Sequence, residues 1–479
     1  MLSRETRRYA MSHRPELHVT AEEGILAAPA GVLLHDDVWH VFNQYKPSAQ
    51  ASSRWGHQAS RALPYDWDVC DDVLATHGDE VELRAGSVIP VGKGIDIFFT
   101  AVSADATTIK VAEIADADAT TETVADDITH LDRNVDNVHT VVSDCHGYSH
   151  FRSPCVVPDW RSTQRDDHHG WVMLAVAGSS DNPDIVVFES DDRREWNFVG
   201  PLRCVGEPSG VSHYERIVSP RLIRLQDEVD EKVYDVLLLT VETEGRDISG
   251  YLVGTLNDSE FTVITPFTRL DRGHDFSRPR NTNVVATLNT DPAARYAAGT
   301  IFGLMNGVGR GDDPTTHLSL QQEDWANCLT LPRRVTLQGG RLYQTPRAGL
   351  PDAIRASEHA RAFIARLDAQ PSDDAVVDIE LRDASGAVGA RVSYSSEEII
   401  LDRSMNPHHA DSAPAVAERE SEETEALSLV VDGSTVEVFA DGGLIAMASR
   451  VYFDGGCHSI TYTARNGARV ESTMEIKPL

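Results

Sequence analysis

Three segments of this chain place a proline beside the start of an apolar run. The segments are residues 24–31, 151–154 and 218–222, and the apolar runs are 32–34, 156–157 and 222–223. Proline is tolerated at the first residue of a strand because no N–H is needed there for the sheet. Three such strand starts in one chain predict a repeated sheet unit, as in a β-propeller.

The rest of the chain alternates short apolar stretches with turn residues, which is typical of an all-β protein. Further candidate strands are residues 38–42, 95–99, 172–177, 185–188, 233–240 and 301–305. At 479 residues the chain is too long for one ordinary core,. Leu350, Ile354, Phe363 and Ile364 predict a helix near 350–367. We therefore expect a propeller over residues 1–349, a helical connector over 350–369 and a β-sandwich over 370–479.

Charge and cysteine usage exclude several classes of partner. The formal net charge is −32, which repels nucleic-acid phosphates, so we expect no nucleic-acid partner,. No apolar run approaches the roughly 18 residues that cross a bilayer, so we expect no membrane partner. The 6 cysteines show no C-x-x-C spacing, which argues against a disulfide framework or a zinc site,. We expect a cytoplasmic protein without metal or cofactor.

Several motifs occur in a fixed order along nearly the whole chain. They are residues 14–18 followed by 24–31, then 42–47, 55–57, 270–276, Trp325 with 331–333, 436–439, 442–443 and 449–452. Together and in this order they resemble glycoside hydrolase family 32, the invertases and fructan hydrolases. The resemblance implies an all-β fold in which a five-bladed β-propeller is followed by a C-terminal β-sandwich.

The catalytic positions that the resemblance implies hold no carboxylate. Retaining glycosidases need a carboxylate nucleophile and a carboxylic acid about 5–5.5 Å apart. The family's nucleophile falls on Ala28, its sugar-supporting aspartate on Ser153 and its acid/base on Val218. These side chains neither attack the sugar nor protonate a leaving group, so the resemblance implies a catalytically degenerate member that binds a carbohydrate. Two alternatives remain: a glycosidase that uses the nearby acids Glu215 or Asp275, and a non-catalytic structural or interaction subunit.

Arginines stand close to these positions in the sequence. Arg152 is retained, Arg221 replaces a family aspartate, and Arg278 and Arg280 follow Phe276 where the family is mostly neutral. Because guanidinium groups suit phosphate and carboxylate recognition, we expect a pocket that favours an anionic sugar derivative. The alternative is that these arginines pair with the many acids of the chain.

Three further side chains are implied as ligand contacts by the positions that they match. Trp55 is expected to stack against a sugar ring, and Gln44 and Ser87 are expected to bond its hydroxyl groups. Asp275 is expected near the pocket on the same ground.

Overall fold

The computed structural model describes residues 13–61, 63–121, 127, 129–159, 170–179, 182–206, 216–243, 245–282, 285–286, 295–306, 313–369, 374–419 and 425–477. Strands dominate this part of the chain and form seven sheets. Five sheets lie within residues 24–346 and two within residues 361–476. No helix among these residues is long and apolar enough to cross a membrane.

The first five sheets are the blades of a propeller, and each contains four strands that run consecutively outward from the centre. Blade 1 consists of Gly24–His35, Val38–Lys46, Arg54–Ser60 and Asp68–Ala75. Blade 2 consists of Glu80–Val91, Gly94–Ser103, Thr107–Ile114 and Val135–Val142. Blade 3 consists of Arg152–Pro158, Trp171–Ala177, Asp184–Ser190 and Asn197–Pro201.

The last two blades carry short additional strands. Blade 4 consists of Arg216–Gln226, Val233–Thr243, Arg246–Asn257 and Glu260–Arg269, with Arg203–Val205 at its edge. Blade 5 consists of Ser277–Thr282, Gly299–Met305, Arg333–Gln338 and Arg341–Pro346, with Cys328–Leu329 beside its second strand. Val285–Ala286 and Trp325–Ala326 pair in parallel with Gly24–His35, which ties the last blade to the first.

The first strands of the blades contact one another in a closed ring. Blade 1 touches blade 2, and the contacts continue in order through blades 3, 4 and 5 back to blade 1. This ring confirms the five-bladed propeller that the resemblance implies. The candidate strands read from alternation and apolar runs are all strands in the structure.

Each first strand contains an extra residue at a comparable position, and the first strands of blades 1 and 2 contain a second one nearer the N-terminus. The shifts in pairing fall between Pro29 and Gly31, Arg84 and Ser87, Arg152 and Cys155, Val218 and Arg221, and Ser277 and Arg280. In blades 3, 4 and 5 the residue before a proline has a left-handed backbone: Ser153 (φ 55°), Ser219 (φ 51°) and Arg278 (φ 50°). Such bulges bend a strand and leave backbone groups unpaired in the ladder.

The C-terminal unit is a β-sandwich of two five-stranded sheets. One sheet consists of Ile445–Arg450, Thr435–Ala440, Ala426–Asp432, Arg361–Asp368 and Arg469–Ile476 in spatial order. The other consists of Ala415–Glu418, Glu398–Asp402, Val388–Tyr394, Val376–Asp383 and Cys457–Arg465. Their inward side chains form one buried apolar cluster, which confirms the sandwich.

The helix predicted near residues 350–367 is only half as long as expected. A helix spans Leu350–Ala356, with Pro351 in its first turn and Leu350 and Ile354 buried. Residues Arg361–Asp368 instead form a strand between two neighbours of the sandwich. Phe363, which suggested a helix, points into the sandwich core. The other helical segments of the described residues are Leu318–Glu323 and the single 3₁₀ turns Asp118–Thr121, Pro314–Thr316, Pro407–His409 and Asp441–Gly443.

Buried ion pairs connect the propeller to the sandwich. The fully buried Arg333 of blade 5 contacts Asp271 at 2.8 Å and Glu437 of the sandwich at 2.7 Å. His18 lies beside them, with Nδ1 2.7 Å from Asp432 and Nε2 3.2 Å from Glu437. Burial alone would lower the pKa of His18, but its hydrogen bonds to these two carboxylates raise it to about 9.

Because of His18, this interface should lose stability as the pH becomes alkaline. The pKa of His18 is raised from 6.5 to about 9 in the folded protein, so its contribution is complete below about pH 6.5 and is lost as the pH rises through 9. At about 1.4 kcal/mol per pKa unit, the loss is roughly 3 kcal/mol. Urea unfolding between pH 6 and 10 will measure it. His18→Gln should flatten this part of the pH profile, and an unchanged slope in that variant would assign the effect to another group.

Candidate functional site

The three positions onto which the resemblance places the family's catalytic side chains lie near the starts of three first strands. Ala28 is in blade 1, Ser153 in blade 3 and Val218 in blade 4, each at the bulge of its strand. Ala28 is buried and packs in the apolar cluster of blades 1 and 2, whereas Ser153 and Val218 are half-buried. These positions therefore surround the propeller axis but supply only a methyl, a hydroxyl and an isopropyl group.

The residues expected to bind sugar hydroxyls instead connect neighbouring blades. Gln44 of blade 1 accepts a hydrogen bond from the backbone N–H of Ala85 in blade 2 at 2.9 Å. Ser87 of blade 2 accepts one from the N–H of Val156 in blade 3 at 3.0 Å. Each side-chain oxygen thus satisfies a backbone donor that the adjacent blade leaves open, and its first role is structural.

The predicted sugar platform is not accessible. Trp55 is 0% exposed, and its indole N–H donates to the carbonyl of Arg84 at 3.3 Å. Its ring meets Phe99 edge-on at 6.3 Å between centroids. A tryptophan enclosed in this way is part of the core between blades 1 and 2, and its stacking against a sugar stays a prediction.

Asp275 is also placed away from the funnel. Its carboxylate is buried, lies 2.5 Å from Nη1 of Arg403 and accepts the backbone N–H of Arg450 at 2.8 Å, both from the sandwich. Burial opposes ionisation, but Arg403 and these hydrogen bonds hold the pKa of Asp275 below its usual value. Asp275 therefore serves the domain interface, and its role as a substitute acid stays a prediction. The other candidate acid, Glu215, lies outside the described residues.

The predicted arginines separate into two groups. Nη2 of Arg278 lies 3.1 Å from Asp247, and Nη1 of Arg152 donates to the carbonyls of His150 (2.9 Å) and Gly178 (2.7 Å). Arg221, by contrast, is 2% exposed and faces no carboxylate among the described residues. Of the four predicted arginines, Arg221 and Arg280 line one cavity at the propeller axis.

Arg221 spans the centre of the propeller. From blade 4 its Nη1 donates to the carbonyls of Ser153 (3.1 Å) and Pro154 (3.2 Å) in blade 3. Its Nη2 donates to the carbonyl of Gly86 in blade 2 at 3.1 Å. A cationic guanidinium thus lies at the depth of Ser153, one of the positions where the family carries an acid.

Arg280 of blade 5 joins it at the same depth. It is 3% exposed, and its Nη1 donates to the carbonyls of Pro279 (3.2 Å) and Arg278 (3.4 Å). Burial and the nearby positive charge of Arg221 lower the pKa of Arg280. Both arginines directly follow a proline at the bulge of a first strand. Pro279 would have marked a fourth Pro-initiated strand in the sequence, and this was the missed signal.

A small cavity lies on the axis below these residues. Its volume is about 40 Å³, which is space for about three water molecules. It is lined by the five first strands, and the first residue after the bulge in each blade contributes: Gly31, Ser87, Cys155, Arg221 and Arg280. A hexose does not fit in a cavity of this volume.

One group of potential metal ligands occurs in the described residues. Glu16, Glu358 and His359 place ligand atoms within 4.8 Å of one another at the surface. The two oxygens of Glu16 already accept the backbone N–H groups of Glu358 (2.6 Å) and His359 (3.1 Å). This arrangement caps the loop after the helix Leu350–Ala356, and it is remote from the funnel.

A five-bladed propeller with a central funnel, joined to a β-sandwich, defines the class of protein. The sequence pattern of the glycosyl hydrolases family 32 N-terminal domain matches residues 18–346, and that of the C-terminal domain matches residues 345–478. The chain therefore belongs to glycosyl hydrolase family 32.

Relatives by sequence are distant but span nearly the whole chain. A sucrose-6-phosphate hydrolase of Bacillus subtilis is 25% identical over 94% of this chain and 91% of its own length. A raffinose invertase of Escherichia coli is 23% identical over 95% of this chain and 92% of its own length.

Solved structures show the same fold at lower identity. A sucrose-6-phosphate hydrolase from Lactobacillus gasseri has a TM-score of 0.73 at 17% identity, covering 98% of this chain and 94% of that one. A Bombyx mori β-fructofuranosidase mutant in complex with sucrose has a TM-score of 0.72 at 20% identity, covering 97% and 93%.

The enclosure of Trp55 leads to a stability prediction. Trp55→Ala should lower the free energy of unfolding by about 3–5 kcal/mol, because it empties a buried aromatic site. Val229→Ala is a matched exposed control, since Val229 is 72% exposed, and should change stability by less than about 0.5 kcal/mol. Urea titration measures both. An unchanged stability in Trp55→Ala, together with lost sugar binding, would restore the platform role.

Proposed function

We propose that this family 32 protein binds an anionic carbohydrate at the mouth of its propeller funnel without hydrolysing fructosidic bonds. The observation that carries the proposal is the buried Arg221 guanidinium at the depth of Ser153, combined with the absence of a carboxylate at positions 28, 153 and 218.

The sign of the charge opposes glycosidase chemistry. The transition state of glycoside hydrolysis resembles an oxocarbenium ion, whose positive charge the enzyme stabilises with carboxylates. Arg221 and Arg280 place positive charge in this region of the funnel. In a site partly shielded from water, this charge raises the energy of an oxocarbenium-like state. The lack of acids and the presence of the two arginines therefore both oppose glycoside hydrolysis.

The same charge favours an anionic ligand over a neutral sugar. No carboxylate pairs with Arg221 or Arg280 among the described residues, so the funnel interior is positive although the chain as a whole carries −32. Distant surface acids are screened over a Debye length of about 8 Å at physiological salt. The sucrose-6-phosphate hydrolases among its relatives are named for a phosphorylated sugar, and we extend that ligand class to this chain.

The cysteines support a cytoplasmic location. All six cysteines are free thiols, and three of them (Cys70, Cys155 and Cys328) are buried. Proteins of oxidising compartments commonly use cysteines in disulfides, whereas reducing compartments keep thiols free. We propose that the anionic ligand is met in such a reducing compartment.

The proposal predicts that hydrolysis is absent. Purified protein should release no glucose or glucose 6-phosphate from sucrose or sucrose 6-phosphate above background, because no group at the family positions can act as nucleophile or acid. The variant Ala28→Asp/Ser153→Asp/Val218→Glu should stay inactive while Arg221 is present. Measurable turnover is expected only when Arg221→Asp is added, with circular dichroism confirming the fold of each variant.

The outcome of this assay also separates the alternatives. Robust turnover by the unmodified protein that is abolished in Glu215→Gln would establish a glycosidase with a relocated acid and overturn the proposal. No turnover and no binding of any sugar would support a structural or interaction subunit instead.

Anion preference is a separate prediction. Calorimetry should find tighter binding of fructose 6-phosphate than of fructose, by about tenfold or more if one charge-assisted hydrogen bond is gained. Arg221→Gln should remove most of the difference. Arg355→Gln removes an equal charge from an exposed site and should leave it intact. Equal affinities for both sugars would refute an anionic ligand.

A further inference from the structure

The two central arginines are buried without a compensating charge. Arg221 and Arg280 form no ion pair with any described carboxylate, and the Nε atom of each has no hydrogen-bond acceptor. The terminal nitrogens of both arginines donate to backbone carbonyls, and Arg221 also interacts with the sulfur of Cys155. A buried charge is costly unless it is paired. Arginine also does not escape by losing its proton, because it stays protonated in proteins.

Both guanidinium groups belong to the ring of residues that follows the five bulges. The other three members of that ring are Gly31, Ser87 and Cys155, which bring no fixed negative charge, and all five line the cavity of about 40 Å³ on the axis. The rest of the lining is mostly aliphatic, including Val88, Val156 and Leu222. Two like charges therefore share one small, largely dry space.

We propose that this cavity holds one resident monoatomic anion, chloride under ordinary conditions, between Arg221 and Arg280. The space suits an ion of about the size of a water molecule. It is too small for phosphate together with its hydrogen-bonded waters. In a low-dielectric site, an anion between two cations gains much more than it would in water.

This site shares Arg221 with the carbohydrate site proposed above, but the presence of the ion does not depend on that proposal. One chloride leaves the pair of arginines with one net positive charge, so the funnel can still favour an anionic sugar. The ion has a structural role: it holds blades 4 and 5 together at the axis, where two like charges would otherwise push them apart.

The alternative counter-charge is the thiolate of Cys155. Its sulfur lines the same cavity and accepts the backbone N–H of Leu222 at 3.4 Å. A thiolate would neutralise one guanidinium without any bound ion. The experiment therefore has to show whether a bound halide or the sulfur of Cys155 supplies the counter-charge.

The test needs no sugar, so its failure is distinct from failure of the proposed function. Thermal unfolding is followed while sodium chloride replaces sodium gluconate at constant ionic strength. Chloride should raise Tm saturably, by about 3 °C at a hundred times its dissociation constant, because gluconate is too large to enter. A crystal grown in sodium bromide should show an anomalous peak between Arg221 and Arg280.

Variants assign the effect to these residues. Arg280→Gln should abolish the chloride-dependent rise in Tm, whereas Arg355→Gln should retain it. If Arg280→Gln does not fold, the halide dependence and the bromide peak of the unmodified protein still decide the matter. Identical Tm values in chloride and gluconate with no bromide peak would overturn the proposal. Loss of stability in Cys155→Ser in both salts would then identify the thiolate as the counter-charge.

Discussion

Closure of the five first strands around the axis is the constraint on which the rest of the propeller depends. Each of these strands carries a bulge, and a bulge leaves carbonyl and N–H groups without a partner in its own sheet,. Water is largely excluded from the axis, so the partner has to come from a neighbouring blade. Ser87 supplies it for the N–H of Val156, and Arg221 supplies it for the carbonyls of Ser153, Pro154 and Gly86.

This constraint gives Arg221 a structural role at the axis. A carboxylate only accepts hydrogen bonds, so it cannot satisfy the carbonyls that the bulges expose, whereas a guanidinium carries five donors in a fork. Arg221 donates to four carbonyls from three blades. Arg221 therefore connects three blades at the axis.

Sequence reasoning reached the architecture but not the roles of individual side chains. Alternation and turns located the strands because side-chain direction in a strand has a fixed period of two. The helix near 350–367 was overextended because Leu350 and Ile354 have helical spacing, whereas Phe363 belongs to a strand whose neighbours are about 60 and 110 residues further along the chain. The resemblance predicts Trp55 and Asp275 as ligand contacts because a sequence match gives the type of residue at a position. It does not show whether that side chain is buried. Only the packing of blade against blade, or of propeller against sandwich, encloses them.

The charge of the molecule is distributed unevenly between its surface and the propeller axis. The acidic surface and the two buried arginines oppose each other in sign, yet they act over different ranges. Surface acids repel an approaching anion only weakly beyond the Debye length of about 8 Å, whereas the arginines act inside a narrow funnel with low-dielectric walls that focus their field. The net charge of −32 therefore does not describe the charge at the propeller axis, where two arginines are buried. The position of charges along the axis, and not only their sum, sets the local potential.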